Sequence, residues 1–407
     1  MQTWYNRRVK KKGGNMRIFN EDVGLHVKSW CEHIEQGALD QIFNLSQLPF
    51  ARHHIAIMPD CHQGYGMPIG GVLATEGVII PNAVGVDIGC GMCVSKSNVF
   101  NISKDTLKLI LKDIREAIPV GFEHRNESIP EEMPYLEFVP DDCDRDNMIV
   151  FAEYDSATRQ LGTLGGGNHF IEIQRDEDNR VYVMIHSGSR NLGYKVARHY
   201  NDMAKELNKV YYSSVNPKWD LAFLPAESKE ASAYLYEHNY AVEFASQSRY
   251  VMMGIITKIF AKYLEFVEFE EPIEAIHNYV NYEKHFGKYY WVHRKGATKA
   301  FLDDITIIPG SQGTNSYIGR GLGNPDSFKT CSHGAGRQMG RKVAKNTLDL
   351  AYEQGILDSQ GILHSIRGKD NLDEAPSAYK NINDVMEAQK DLVEITTKLT
   401  PLAVIKG

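Results

Sequence analysis

Short apolar runs closed by turn residues dominate the first hundred positions, at residues 54–58, 70–75, 77–80 and 92–95. Runs of this length predict strands. From Ser103 the period changes. Leu107, Ile110, Leu111, Ile114 and Ile118 recur at three-and-four spacing and predict a helix with one apolar face. Two further strands are expected at residues 170–174 and 181–185. Residues 226–267, rich in Ala, Glu, Tyr and Met and free of proline, predict a long amphipathic scaffold helix with room for one break. Strands return at 290–294, 305–308 and 316–320, and helices are expected at 336–354 and 383–399. Strands and helices mix without a regular βαβ rhythm, so the fold class expected is α+β. No repeat or low-complexity linker divides the chain. The expectation is one large domain over residues 16–407 behind a flexible tail, 1–15.

Composition narrows the function classes. Of 407 residues, 43% are hydrophobic and 24% charged, which excludes wholesale disorder and a disulfide miniprotein. Six scattered cysteines do not make a disulfide framework. The tail carries Arg7, Arg8, Lys10, Lys11 and Lys12 with no apolar segment behind them, so it does not read as a secretory signal. It reads as a solvated basic arm, or as an extension ahead of a second start at Met16. No run of about 18 apolar residues exists, so no membrane span is expected and the location read is cytoplasmic. A net charge of −7 means that any nucleic-acid contact must come from a local basic patch.

Five segments carry chemistry. In Val84-Gly85-Val86-Asp87-Ile88-Gly89-Cys90-Gly91-Met92-Cys93 a carboxylate and a thiol sit three apart in a glycine-flanked turn, where both can face one cation. Cys90 and Cys93 also form a C-x-x-C, the half of a zinc site or a redox pair, but no second such pair exists. Gly165-Gly166-Gly167-Asn168-His169-Phe170-Ile171-Glu172 is a glycine loop feeding a strand, able to approach phosphate oxygens. His186 ends a strand ahead of Ser187-Gly188-Ser189-Arg190, and His277 stands in Ile276-His277-Asn278-Tyr279. Singly, each of these histidines fits a packed core as well as a metal site. Together, Asp87, Cys90, His169, His186 and His277 suit one or two transition-metal ions, and ligand softness alone favours zinc over manganese. Cys331-Ser332-His333-Gly334-Ala335-Gly336-Arg337 places an imidazole in a small-residue turn expected to enter a helix, with Arg341 downstream: an anion site, or a helix entry that the histidine merely caps. Pro309-Gly310-Ser311-Gln312 offers a further hydroxyl and glycine loop.

In this order the segments, with Met58-Pro59-Asp60, His62, Gly64, Arg294-Lys295-Gly296-Ala297, Ala378-Tyr379-Lys380 and the terminal Lys406-Gly407, resemble the RtcB family of GTP-dependent RNA ligases. The likeness runs from about residue 20 to the end. It implies the family's own α+β fold and two Mn²⁺ ions bridged by Cys90, with Asp87 and His169 on one ion and His186 and His277 on the other. It implies His333 as the nucleophile that becomes guanylylated by GTP. The guanylate would be held by Asn168, His169, Phe170, Ile171, Glu172, His277, Asn278, Pro309, Gly310, Ser311, Gln312, Ser316, Gly334, Ala335, Gly336, Tyr379 and Lys406. The implied reaction joins an RNA 3′-phosphate or 2′,3′-cyclic phosphate to a 5′-hydroxyl, in RNA repair or tRNA splicing, and leaves open an activating partner protein. Cys61 departs from the valine expected there, a packing change, and Cys93 is not a required ligand. RNA affinity would rest on Arg190, Lys195, Arg198, Arg294, Lys295, Arg337 and Arg341 and would fall with salt. The alternative enzyme class is a dinuclear metal phosphoesterase with the same ligands and a bridging hydroxide, which needs neither nucleotide nor His333.

Overall fold

The computed structural model describes residues 9–11, 16–19, 24–136, 138–141 and 143–407. Two seven-stranded sheets form its frame. The first orders β1 (Val9–Lys11), β2 (Arg17–Phe19), β3 (His26–Ser29), β4 (Ala51–Tyr65), β5 (Met67–Thr75), β13 (Lys288–Lys295) and β12 (Asn278–His285). Only the β3–β4 pair is parallel. The second orders β11 (Ile273–Ile276), β7 (Gly91–Phe100), β9 (Arg180–Ser187), β8 (Phe170–Arg175), β18 (Val393–Lys406), β16 (Ser316–Gly321) and β15 (Ile305–Ile308), and every pair in it is antiparallel. Two small ribbons pair β6 (Val78–Ile79) with β10 (Leu224–Pro225) and β14 (Ala297–Lys299) with β17 (Thr330–Ser332). Of the basic tail, Val9–Lys11 forms β1 on β2; the rest lies outside the described residues.

The helices are α1 (Gln36–Ser46), α2 (Lys104–Ala117), α3 (Ile149–Ala152), α4 (Tyr154–Gln160), α5 (Arg190–Val210), α6 (Lys229–Tyr263), α7 (Arg341–Thr347), α8 (Leu350–Ser359) and α9 (Ile382–Ala388). The expected apolar face of α2 is the buried one: Leu107, Ile110, Leu111 and Ile114 pack inward, each contributing about 2 kcal/mol of burial. Ser103 caps it, its Oγ accepting from the Thr106 N–H. The long helix α6 runs unbroken through Gly254. Its buried residues serve two cores, Ala231, Tyr234, Ala241 and Phe244 against α5, and Met252, Met253, Ile256 and Phe260 against α2 and the second sheet.

Two expected helices fail at their ends. The stretch 336–354 is not one helix: the chain stays irregular until Arg341, and α7 and α8 are separate. The stretch 383–399 is helical only to Ala388. The β-branched run Val393, Ile395, Thr396 and Thr397 then starts the 14-residue strand β18, which carries the apolar C-terminal segment into the second sheet. The 21-residue helix α5 is an element beyond those expected, and Leu192, Val196, Tyr200 and Ala204 bury one face of it.

Candidate active site

Strand register brings the candidate metal ligands to one end of the second sheet. Cys90 immediately precedes β7, His169 precedes β8, His186 is the penultimate residue of β9 and His277 follows β11. Gly91 pairs with both Ser187 and Ile276, and Phe170 pairs with His186, so these strand ends lie side by side. Asp87 comes from the glycine turn before β7, which folds back so that the Cys90 N–H donates to Asp87 O. A Cβ at Gly188 would stand 2.2 Å from Asp87 Oδ1, so only glycine lets β9 end against that carboxylate.

Cys90 Sγ lies 3.5 Å from His169 Nε2 and 3.3 Å from His186 Nε2. His169 Nε2 is 3.0 Å from Asp87 Oδ2, and the Nε2 atoms of His186 and His277 are 3.3 Å apart. The other ring nitrogens of two of these histidines are committed to the backbone, His169 Nδ1–H donating to Leu164 O and His186 Nδ1–H to Asn168 O. That assignment leaves lone pairs on Nε2 facing a sulfur, a crowding that a cation relieves. Burial pushes His186 and His277 well below the usual imidazole range, so both are neutral. Burial, and next the Asp87 charge, push the Cys90 thiol well up; a bound divalent ion reverses that preference and selects the thiolate. Cys90, His169 and His186 thus form a buried group able to hold a metal ion. Behind them Arg249 of α6, wholly buried, donates to Gly89 O at 3.0 Å and Ser187 O at 2.8 Å while its Nε meets Glu274 at 2.8 Å. It clamps the ligand turn to the end of β9, and no motif in the sequence marks it.

His333 faces this cluster from the opposite wall, its ring centroid 4.8 Å from that of His277. It follows β17 directly, eight residues before α7, so it neither enters nor caps a helix, contrary to expectation. Asp60 holds it: Nδ1–H donates to Asp60 Oδ2 at 2.6 Å, and the His333 backbone N–H donates to the same oxygen at 3.1 Å. Nε2 is therefore the nitrogen presented to the cleft. Asp60 sits where the β4–β5 register is irregular, between Ile57 and His62, a distortion of the kind that re-aims a side chain. Gly336, at φ +72°, packs so closely that its Cβ would stand 2.2 Å from Asp60 O. Asp60 stands in the Met58-Pro59-Asp60 segment, and nothing in the sequence assigns it a task.

Between the walls lies a cleft of about 700 Å³. Asp87, Cys90, His186 and His277 line it with Asn168, Phe170, Glu172, Asn278, residues 309–312, residues 333–336, Tyr379 and Lys406. Glu172 is buried and its carboxyl is pushed up to about 8 by burial, against the hydrogen bond from Gln174. Lys406 Nζ stands 5.1 Å over the Phe170 ring and 2.8 Å from Glu374, which also accepts from Tyr379 OH, Arg337 and Arg341. No motif marks Glu374; its partners come from three stretches, 337–341, Tyr379 and Lys406. Burial works to raise its carboxyl, but Lys406 and Arg341 hold it below the usual range.

Some expected residues stand elsewhere. The Ile171 side chain alternates to the other face of β8 and packs in the core beside Ile173 and Ile405. Ser316 lies behind the loop, its Oγ accepting from Gln174 Nε2 and the Gly310 N–H. Arg294 offers nothing to RNA, because it is wholly buried and its guanidinium is bound bidentately to Glu283 and donates to Thr330 Oγ1 and Phe328 O. Lys295 lines the cleft floor, its ammonium donating to Tyr65 O and Asn82 O, and burial lowers it to about 7. Arg337 and Arg341 also line the cleft, whereas Arg190 stands behind it, donating to Gly121 O and Thr163 Oγ1. Among the described residues no helix is long and apolar enough to cross a membrane.

The family described as tRNA-splicing ligase RtcB matches residues 41–139 and 142–407. RNA-splicing ligase RtcB of Escherichia coli K12 is 37% identical over 405 aligned residues, covering 94% of this chain and 97% of that protein. The tRNA-splicing ligases RtcB of Nanoarchaeum equitans and Archaeoglobus fulgidus are 34% and 31% identical, each alignment covering 92% of both chains. With the match covering the whole second sheet, the first from β4 onward and nearly all of the cleft lining, the chain belongs to the RtcB ligase family.

Proposed function

We propose that this protein joins an RNA 3′-phosphate or 2′,3′-cyclic phosphate end to a 5′-hydroxyl end, using GTP and Mn²⁺ through a His333–GMP intermediate. The observation that carries the reading is the pairing of His333 with Asp60 at 2.6 Å directly across from a cluster of neutral imidazoles and a thiol. Asp60 accepts the Nδ1 proton and so fixes the tautomer whose Nε2 lone pair attacks the α-phosphorus of GTP, with pyrophosphate leaving. Two Mn²⁺ ions, held by Asp87 and His169 on one side and His186 and His277 on the other with Cys90 between, would neutralise charge on the phosphates.

The chain's own groups account for the remaining demands. Phe170, Glu172, Tyr379, Lys406 and the 309–312 loop line the cleft and would hold the guanine. Water opens a cyclic end to a 3′-phosphate by breaking its P–O2′ bond; an oxygen of that phosphate then attacks the His333-bound phosphorus, the P–N bond breaks and the GMP is transferred. The 5′-hydroxyl then attacks that phosphate and GMP departs. Capping is chemically necessary because hydroxide is a poor leaving group and GMP a good one. The RNA would run past Lys295, Arg337 and Arg341.

The test is a joining assay with an RNA that carries a 2′,3′-cyclic phosphate and a 5′-hydroxyl, in the presence of GTP and Mn²⁺. The expected result is a joined strand that needs GTP and is lost in His333→Ala. Ring opening without joining, undiminished in His333→Ala, would refute it.

A further inference from the structure

Behind Asp60, on the side away from the cleft, two thiols and a lysine form a second reactive cluster. Cys31 lies two residues beyond β3, which runs parallel to β4; continuing the Ser29↔Ile57 register sets it opposite Pro59, and its side chain reaches on toward Cys61. Both are buried and reduced, and Cys31 Sγ lies 4.0 Å from Cys61 O. The Lys380 ammonium stands 3.3 Å from Cys31 Sγ and donates to Cys61 O at 2.6 Å and Pro59 O at 3.2 Å. Among the described residues Lys380 pairs with no carboxylate, so the Cys31 sulfur is the site for the negative charge it faces. The hydrogen bond from Cys61, and Lys380 beside it, lower the Cys31 thiol to about 7, while that same bond and burial push Cys61 well up. A thiolate under a lysine with a protonated thiol against it is the arrangement of an attacking and a resolving cysteine.

We propose that Cys31 and Cys61 are an oxidant-sensitive thiol pair, oxidised by hydroperoxides to a disulfide that loosens the hold of Asp60 on His333. The Cys31 thiolate attacks a peroxide oxygen, the O–O bond breaks, and the departing hydroxide takes a proton from the medium, leaving a sulfenic acid. The Cys61 sulfur then attacks that sulfur, the S–O bond breaks, and the hydroxide released leaves as water with the Cys61 proton. Two electrons pass from the two sulfurs to the peroxide. Closure draws the sulfurs to about 2.05 Å and removes the anion facing Lys380. Lys380 bridges the carbonyls on either side of Asp60, and its own N–H donates to Gly336 O at 2.9 Å, so the shift falls on both segments packed against the His333 support.

The coupling rests on the role proposed for His333, but the disulfide does not. The Mn²⁺-loaded full-length protein would be exposed to graded hydrogen peroxide, then digested for peptide mapping and assayed for GMP attachment. The proposal predicts a Cys31–Cys61 linked peptide, a loss of adduct of roughly tenfold, and recovery with dithiothreitol. In Cys61→Val the recoverable loss should vanish and dimedone should label Cys31; in Lys380→Met linkage should slow about tenfold as the thiolate fraction falls. No linked peptide at peroxide levels that leave Cys90 reduced would overturn the site. Linkage with unchanged adduct yield would overturn the coupling, and no adduct before oxidation would instead count against the reading of His333.

Discussion

The two walls of the cleft treat the same side chain in opposite ways. On the ligand wall, His169 and His186 give their Nδ1 protons to the backbone carbonyls of Leu164 and Asn168. On the facing wall, His333 gives its Nδ1 proton to a carboxylate, Asp60. A carbonyl fixes the ring and leaves Nε2 a neutral donor suited to a metal. A carboxylate fixes the ring and also stabilises positive charge on it, which is what an imidazole that has attacked phosphorus must carry. The supports differ as well. Arg249 clamps the ligand wall through two carbonyls, whereas Arg294, neutralised by Glu283, ties down the strand that leads to His333. One wall is built to keep a cation, the other to gain a charge.

The sharpest way to break this contrast is Asp60→Asn. The amide can no longer accept the Nδ1 proton as a charged partner, and adduct formation should fall about 10³-fold, or ~4 kcal/mol, with metal content unchanged. Equal loss of metal would mean that the walls are not separate. Next comes Glu283→Gln, which leaves Arg294 buried without its counter-charge and should cost about 3–5 kcal/mol in denaturant unfolding. Burial works to raise the Glu283 carboxyl, but the Arg294 charge wins and lowers it from 4.5 to about 2. A depressed carboxylate contributes stability above its unfolded value, so this contribution should be present at neutral pH and drain away as pH falls from about 4.5 toward 2. The variant should lose that part of the acid slope, and an unchanged slope in calorimetry would contradict the assignment. Arg249→Gln should weaken Mn²⁺ retention by about 10–100-fold while GTP still protects the protein against heat. Smallest, Lys406→Met should raise the KM for GTP roughly three- to tenfold with kcat nearly unchanged.

How far these walls can be read from the chain depends on how local their logic is. Asp87, Cys90, His169, His186 and His277 each stand beside a short apolar run, so strand ends and ligands are legible together. That they meet depends on β7, β8, β9 and β11 being neighbours, which no local pattern states. Arg249 gains its role from segments distant in sequence, and Glu374 from Arg337, Arg341 and Lys406 as well as nearby Tyr379; no local motif marks either residue. Arg294 looks like a surface cation beside Lys295, and only the partner strand β12, carrying Glu283, turns it into a buried strut. The strand β18 shows the converse: Val393, Ile395, Thr396 and Thr397 already favour a strand, and a polar helical-looking lead-in at Asn383 drew the expected helix too far.

The central claim is that His333 Nε2 is the atom that takes the nucleotide. Intact mass of the Mn²⁺-loaded protein after incubation with GTP, followed by peptide mapping, tests it directly. The account predicts a single added guanylate on the peptide containing His333, stable to alkali, labile to acid as a phosphoramidate is, and absent in His333→Ala. A guanylate on any other residue, or an equal yield in His333→Ala, would contradict it.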